Sequence, residues 1–219
     1  MTRKTQSPWF RTALLFLLFV LFTLSVLTVD VRPIGPEGSP VGWAGLNRFV
    51  FQHIGCHPAW YTVTEWLGLL ALLFPLGFGA VGLGQLLRRR SLRRVDPSLL
   101  VLGAFYLLVL LCYLLFEQFP VNVRPVLMNG VLEPSYPSSH TLLVLCVMST
   151  AKTQLRILWP GQTGLHRAMD RFADLLMALT VLGRLLSGVH WLTDILGSLL
   201  LWGALVSLYH TGIQWVRRP

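Results

Sequence analysis

Residues 133–151 read EPSYPSSHTLLVLCVMSTA. A Pro-Ser-Ser turn leads into His140, and an apolar run of helical length follows at once. The run reads as a helix that crosses a membrane. A titratable side chain at the mouth of such a helix is costly to keep there, so its presence asks for a chemical reason.

Working outward, the same texture recurs along the chain. Of 219 residues, 54% are hydrophobic and only 12% are charged, where a soluble domain carries roughly a quarter charged residues. The mean hydropathy is +0.62. Apolar stretches of about 20 residues span a bilayer, and six are legible: 9–29, 61–87, 98–119, 138–155, 169–186 and 190–215. The second contains Pro75 and several glycines, which a packed membrane helix tolerates. The first is too long for a signal-peptide apolar region, and no A-x-A-like site follows before Asp30, so it reads as a retained anchor. The expected fold is all-α: an integral membrane bundle of six transmembrane helices, forming a single domain over residues 1–219.

The formal charge of +9 invites a nucleic-acid reading until the basic residues are placed. With a cytoplasmic N-terminus, the inner segments hold Arg3, Lys4, Arg11, Arg88, Arg89, Arg90, Arg93, Arg94, Lys152, Arg156, Arg167, Arg171, Arg217 and Arg218. These are 14 of the 18 Lys and Arg residues. The bias obeys the positive-inside rule, places both termini in the cytoplasm, and explains the charge without a nucleic-acid partner. Arg32, Arg48, Arg124 and Arg184 remain on the extracytoplasmic side and need another explanation.

The only long outer segment is 30–60. It opens with Pro33, Gly35, Pro36, Gly38 and Pro40, an irregular composition. Trp43, Leu46, Phe49, Val50 and Ile54 then recur at spacings of three and four, which predicts a short amphipathic helix over 42–54. It lies either in the membrane interface or over the bundle as a lid. His53 and His57 flank Cys56, but no further ligand converges on them to make a metal site. Cys56 is alone outside, and Cys112 and Cys146 sit in apolar segments, so no disulfide framework is implied.

The unusual polar residues gather at one membrane face. Arg124 lies in the second outer segment, Ser138, Ser139 and His140 open the fourth span, Arg184 lies near the outer end of the fifth, and His190 and Asp194 open the sixth. His190 and Asp194 are four apart and share one helix face. The carboxylate can fix the imidazole tautomer and leave the other nitrogen as nucleophile or base. Alone, such a pair serves equally well as a helix cap. Two arginines at the same depth change the reading, because guanidinium groups bind phosphate oxygens bidentately and keep their charge. Ser138 and Ser139 add hydroxyls and N–H groups at a helix N-terminus, where anions are favoured.

RP at 124–125, PSSH at 137–140 and GRLLSGVHWLTD at 183–194 resemble the three signature motifs of the type 2 phosphatidic acid phosphatase superfamily. This family contains membrane lipid phosphate phosphatases and the vanadium haloperoxidases. Its pattern is Lys-x6-Arg-Pro, Pro-Ser-Gly-His and Ser-Arg-x5-His-x3-Asp, and the spacing Arg184-x5-His190-x3-Asp194 is kept in full. The resemblance implies that His190 attacks phosphorus to form a phosphohistidine, that Asp194 orients it, and that His140 protonates the leaving oxygen and then activates water. Arg124, Arg184, Ser138 and Ser139 would hold the phosphoryl oxygens, with no metal or other cofactor. The implied substrates are lipid phosphates such as isoprenoid diphosphates, phosphatidic acid or phosphatidylglycerophosphate, met at the outer membrane face.

Three positions depart from the pattern. Gly183 stands for Ser, Ser139 for Gly, and Glu117, seven before Arg124, for Lys. The only lysines are Lys4 and Lys152, both expected inside, which leaves Arg32 and Arg48 as stand-ins for the missing cation. Glu65, just inside the second span, faces either the site or the headgroups. Two rival functions keep the same site: a phosphotransferase passing the phosphoryl group to a second lipid or a glycan, and a non-catalytic lipid-phosphate binding protein. The second does not require a His–Asp pair.

Overall fold

The computed structural model of the protein describes residues 7–217. Arg3, Lys4 and Arg218, counted above among the inner basic residues, fall outside them. Seven α-helices follow in order: α1 Pro8–Thr28, α2 Ala44–Ile54, α3 Pro58–Arg89, α4 Pro97–Gln118, α5 Ser139–Leu158, α6 Thr163–Leu186 and α7 Leu192–Val216. Prolines at the first turns of α1, α3 and α4 suit positions whose N–H has no helical partner.

Among the described residues, five helices are long and apolar enough to cross a membrane: α1, α3, α4, α5 and α7. The expectation of six is met only in part. α6 has 24 residues, but its first half carries Arg167, Asp170, Arg171 and Asp174. Two of these acids pair with α5, Asp170 with Arg156 at 2.6 Å and Asp174 with Lys152 at 2.7 Å. The helix therefore begins at Thr163, six residues before the expected apolar segment.

α5 and α7 form the centre of the bundle, with 56% of the apolar window of each buried, against 17–22% in α1, α3 and α4. The outer helices bury a single stripe. In α1 only Thr12, Phe19 and Val26 are buried, seven residues apart, while Leu14, Leu17, Leu21 and Leu24 remain exposed. So large an apolar exterior is what lipid, not water, solvates. The stripe docks on α7, where Thr12 Oγ1 lies 2.8 Å from Ser207 Oγ, and on the loop before α5, where Thr23 Oγ1 lies 2.7 Å from the Tyr136 hydroxyl.

Two connections deliver residues to the site. Between α1 and α2 the chain doubles back through an Arg32–Val41 bridge, and Gly42 presses on α1 so closely that a Cβ would fall 1.6 Å from the Val26 carbonyl oxygen. Asp30 Oδ2 accepts from the Gly45 N–H at 2.6 Å. That bond, with the Arg32 guanidinium, holds its carboxyl below the usual carboxylate range. Between α4 and α5, Asn129 and Gly130 both take positive φ, 52° and 79°, the geometry of a tight hairpin turn. The hairpin sets the Arg124 N–H against the Glu133 carbonyl at 3.0 Å.

α2 forms where the amphipathic pattern predicts a helix, with its apolar stripe outward. Its buried residues are Ala44 and Asn47, while Leu46 and Phe49, members of the apolar stripe, are 39% and 57% exposed. The helix is seated by a polar side chain: Asn47 Nδ2 donates to the Gly42 carbonyl at 2.8 Å and to Thr193 Oγ1 at 2.9 Å, and its Oδ1 accepts from the Thr193 N–H at 3.2 Å. The helix is held to the bundle by its polar face, and its apolar stripe is left uncovered.

Candidate active site

Arg184, in the last turn of α6, is fully buried. Its Nη2 donates to Glu65 Oε1 of α3 at 2.6 Å, and its guanidinium lies 5.1 Å from the centre of the Tyr61 ring. Nε and Nη1 have no partner. Gly183 explains its own departure from the motif: a Cβ there would stand 2.6 Å from Thr64 Cγ2 and 3.0 Å from Trp60 Cε3. α6 can approach α3 only without a side chain at that point.

His140 sits in the first turn of α5, where its imidazole lies against Gly68 of α3 and its Nε2 is 3.1 Å from the same Glu65 Oε1. One carboxylate oxygen therefore bridges the expected general acid and an expected phosphate-binding arginine. Sequence left two readings for Glu65, and the structure puts it in the site.

His190 and Asp194 do not share a helix face. His190 occupies the turn between α6 and α7, and Asp194 lies in the first turn of α7. The turn depends on Gly188, whose φ of +72° and contact with the Cys56 backbone exclude a side chain. Asp194 Oδ2 accepts from the Trp191 N–H at 2.9 Å, and Oδ1 accepts from Asn122 Nδ2 at 3.3 Å. His190 Nδ1 stands 3.5 Å from Asp194 Oδ2, too far for a good hydrogen bond, and is buried without a partner. The expected pair is adjacent, and the carboxylate is held chiefly by the backbone and by Asn122. Sequence reasoning passed over Asn122; no local signal marks an asparagine whose partner lies 72 residues away.

The sequence reading gives Ser138 to the phosphoryl oxygens. Its N–H donates to the Asp194 carbonyl at 3.2 Å, its carbonyl accepts from Ser198 Oγ at 3.0 Å, and its hydroxyl lies 3.0 Å from Thr141 Oγ1. Its backbone groups tie α5 to α7, and its hydroxyl pairs within the first turn of α5. Ser139 is half-buried and lines the cavity with His140.

Arg124 Nε lies 3.1 Å from Glu133 Oε2, but without hydrogen-bond alignment, and Nε and Nη1 are buried unpartnered. Arg32 pairs with Asp30 at 2.6 Å, Arg48 is exposed on α2, and neither lines the cavity. No cation replaces the motif lysine among the described residues that line it. His53 and His57 each bond a helix carbonyl, of Phe49 and Ile54, and no group of three metal-ligating residues occurs among the described residues.

Two hollows meet at His140. One, of about 310 Å³, is lined by Glu117, Arg124, Glu133, Ser135, Ser139 and His140. The other, of about 460 Å³, is an apolar groove between α3, α4 and α5 lined by Leu72, Pro75, Tyr106, Val109 and Leu143. Arg124 lines the first hollow, whereas Arg184 and His190 line neither. Four guanidinium nitrogens, two on each arginine, are buried without a hydrogen-bond partner; His190 Nδ1, also unpartnered, faces Asp194. Unsatisfied buried donors are rare and costly. The four guanidinium nitrogens are donors that an anion could satisfy.

No protein-family model matches the sequence, and no curated protein does. A solved structure does match: a transmembrane PAP2 type phosphatidylglycerolphosphate phosphatase from Bacillus subtilis, 21% identical, covering 95% of this chain and 98% of its own, with a TM-score of 0.66. In fold, this chain is built like that PAP2-type membrane protein.

Proposed function

We propose that this protein is a multi-pass membrane phosphatase that hydrolyses a lipid phosphate through a phosphohistidine. The observation that carries the reading is the set of four unpartnered buried guanidinium nitrogens on Arg124 and Arg184, together with a histidine whose Nδ1 faces Asp194 and whose Nε2 makes no hydrogen bond among the described residues. Arg124 and Arg184 would take the phosphoryl oxygens, and such preorganised charge is the main protein contribution to phosphoryl transfer. His190 Nε2 would form a bond to phosphorus as the P–O bond to the lipid breaks, and His140 would give its proton to the departing oxygen. In the second step His140 would take a proton from water, whose oxygen bonds phosphorus as the P–N bond breaks. The apolar groove that meets the polar cavity at His140 suits a substrate with one phosphorylated end and one hydrocarbon chain.

α6 would serve as a sixth span, with Arg88, Arg89, Arg93, Arg94, Lys152 and Arg156 on the cytoplasmic side and the site on the opposite one. The testing experiment is phosphate release by purified protein across phosphatidic acid, phosphatidylglycerophosphate and isoprenoid diphosphates, with His190→Ala as control. Release from at least one that His190→Ala abolishes supports the reading. No release from any, or release unchanged in the variant, refutes it.

A further inference from the structure

Glu65 is a buried-edge carboxylate that the phosphoryl-transfer steps above do not use. Its Oε1 accepts from Arg184 Nη2 at 2.6 Å and lies 3.1 Å from His140 Nε2. An acid so close to a phosphate site weakens anion binding unless it serves another purpose. We propose that Glu65 is the positioning residue of His140: its carboxylate keeps the proton on the imidazole until the leaving oxygen arrives. It also turns one edge of Arg184 aside, so that Nε and Nη1 face the phosphoryl group. The inference rests on the phosphatase reading and adds a second histidine–carboxylate pair to it.

The charges around His140 show why a carboxylate is needed. Burial disfavours a charged ring there, Arg184 from α6 shares Glu65 Oε1 with it, Arg124 lines the same cavity, and His190 from the turn before α7 is neutral as the nucleophile. Against the two guanidinium groups stand Glu65 from α3, and Glu117 and Glu133 across the cavity. Glu65 alone touches the ring through an ion-pair distance. Without it, that edge of the His140 ring would face no carboxylate, which disfavours the protonated form its acid role requires. Gly68 permits the arrangement, since a Cβ there would stand 3.2 Å from His140 Cδ2.

Glu65→Gln keeps the shape and an acceptor oxygen but removes the charge. With a lipid phosphomonoester, kcat should fall about 10- to 100-fold, a part of what general acid catalysis supplies, and the alkaline limb of the rate profile should move to lower pH. With an activated aryl phosphate, whose leaving group needs little protonation, the loss should stay within about threefold. Inhibition by inorganic phosphate should hold or strengthen, because Arg184 is released from its acid. A structural role would weaken turnover of both substrates and phosphate inhibition together, with no shift of the limb, and that result overturns the inference. Should Glu65→Gln fail to fold, Glu65→Asp withdraws the charge by one methylene, and the same selective loss, about three- to tenfold, is expected. A uniform loss refutes it. Wild-type protein inert toward every lipid phosphate would instead refute the phosphatase reading, and this inference with it.

Discussion

Restoring the motif serine at position 183 should harm this protein. A Cβ on Gly183 would lie 2.6 Å from Thr64 Cγ2 and 3.0 Å from Trp60 Cε3, against the roughly 3.5–4 Å of a relaxed carbon–carbon contact. The overlap with Thr64 is therefore about 1 Å, and Thr64 is fully buried and has nowhere to retreat. Overpacking of this kind costs about 1–3 kcal/mol. Replacing a last-turn glycine by serine returns at most about 0.5 kcal/mol of helix propensity. Gly183→Ser should thus destabilise by about 1–2 kcal/mol, seen as a drop of roughly 2–8 °C in the unfolding midpoint in detergent. Thr64→Ser removes the offending methyl but keeps the hydroxyl bonds to the Trp60 and Tyr61 carbonyls. Alone it should cost about 1 kcal/mol. In the double variant it should recover at least half the loss, a coupling of about 1 kcal/mol. A Gly183→Ser protein as stable as wild type, or a double variant that is merely the sum of the two losses, would refute the claim that α3–α6 approach dictates the glycine.

His190→Ala should abolish both turnover and covalent labelling by a phosphorus-labelled substrate, whereas His140→Ala should accumulate acid-labile, base-stable phosphohistidine from an activated aryl phosphate; labelling that survives His190→Ala removes His190 as nucleophile. Glu117→Lys should retain activity and lower KM by up to about tenfold, since Glu117 lines the cavity with Arg124 and an exposed charge there is worth about 1 kcal/mol; complete loss in a folded variant would give Glu117 a role of its own. In a cysteine-free background, Val131→Cys should react with an impermeant thiol reagent from outside the cell, and Leu92→Cys only after the inner face is opened, both positions being well exposed. The reverse pattern would put the site on the cytoplasmic face.

The spans were legible because lipid-facing helices advertise themselves by composition, and α1, α3 and α4 carry little else. The His190-x3-Asp194 spacing suggested one helix face, but the pair meets across a turn closed by Gly188, not along a helix. Periodicity located α2 but not what seats it: Asn47 binds Thr193, 146 residues away, while Leu46 stays exposed. Glu65 and Asn122 were beyond reach of local pattern because their partners lie 119 and 72 residues along the chain. Gly183 showed only as a departure from a motif until Thr64 stood opposite it.

The Asn47–Thr193 bond has a consequence for how the protein is made. The two residues are 146 positions apart, and a ribosome adding about 5–20 residues per second needs roughly 7–30 s to travel from one to the other. For that interval α2 has emerged without the last helix that seats it, and the amide of Asn47 has only the Gly42 carbonyl and water for company. Leu46 and Phe49 stay outward even in the finished fold, so they do not supply the missing anchor. A chain that stops before residue 193 leaves Asn47 and Asn122 without that anchor, which is the kind of unsatisfied polar surface that membrane quality-control proteases can recognise.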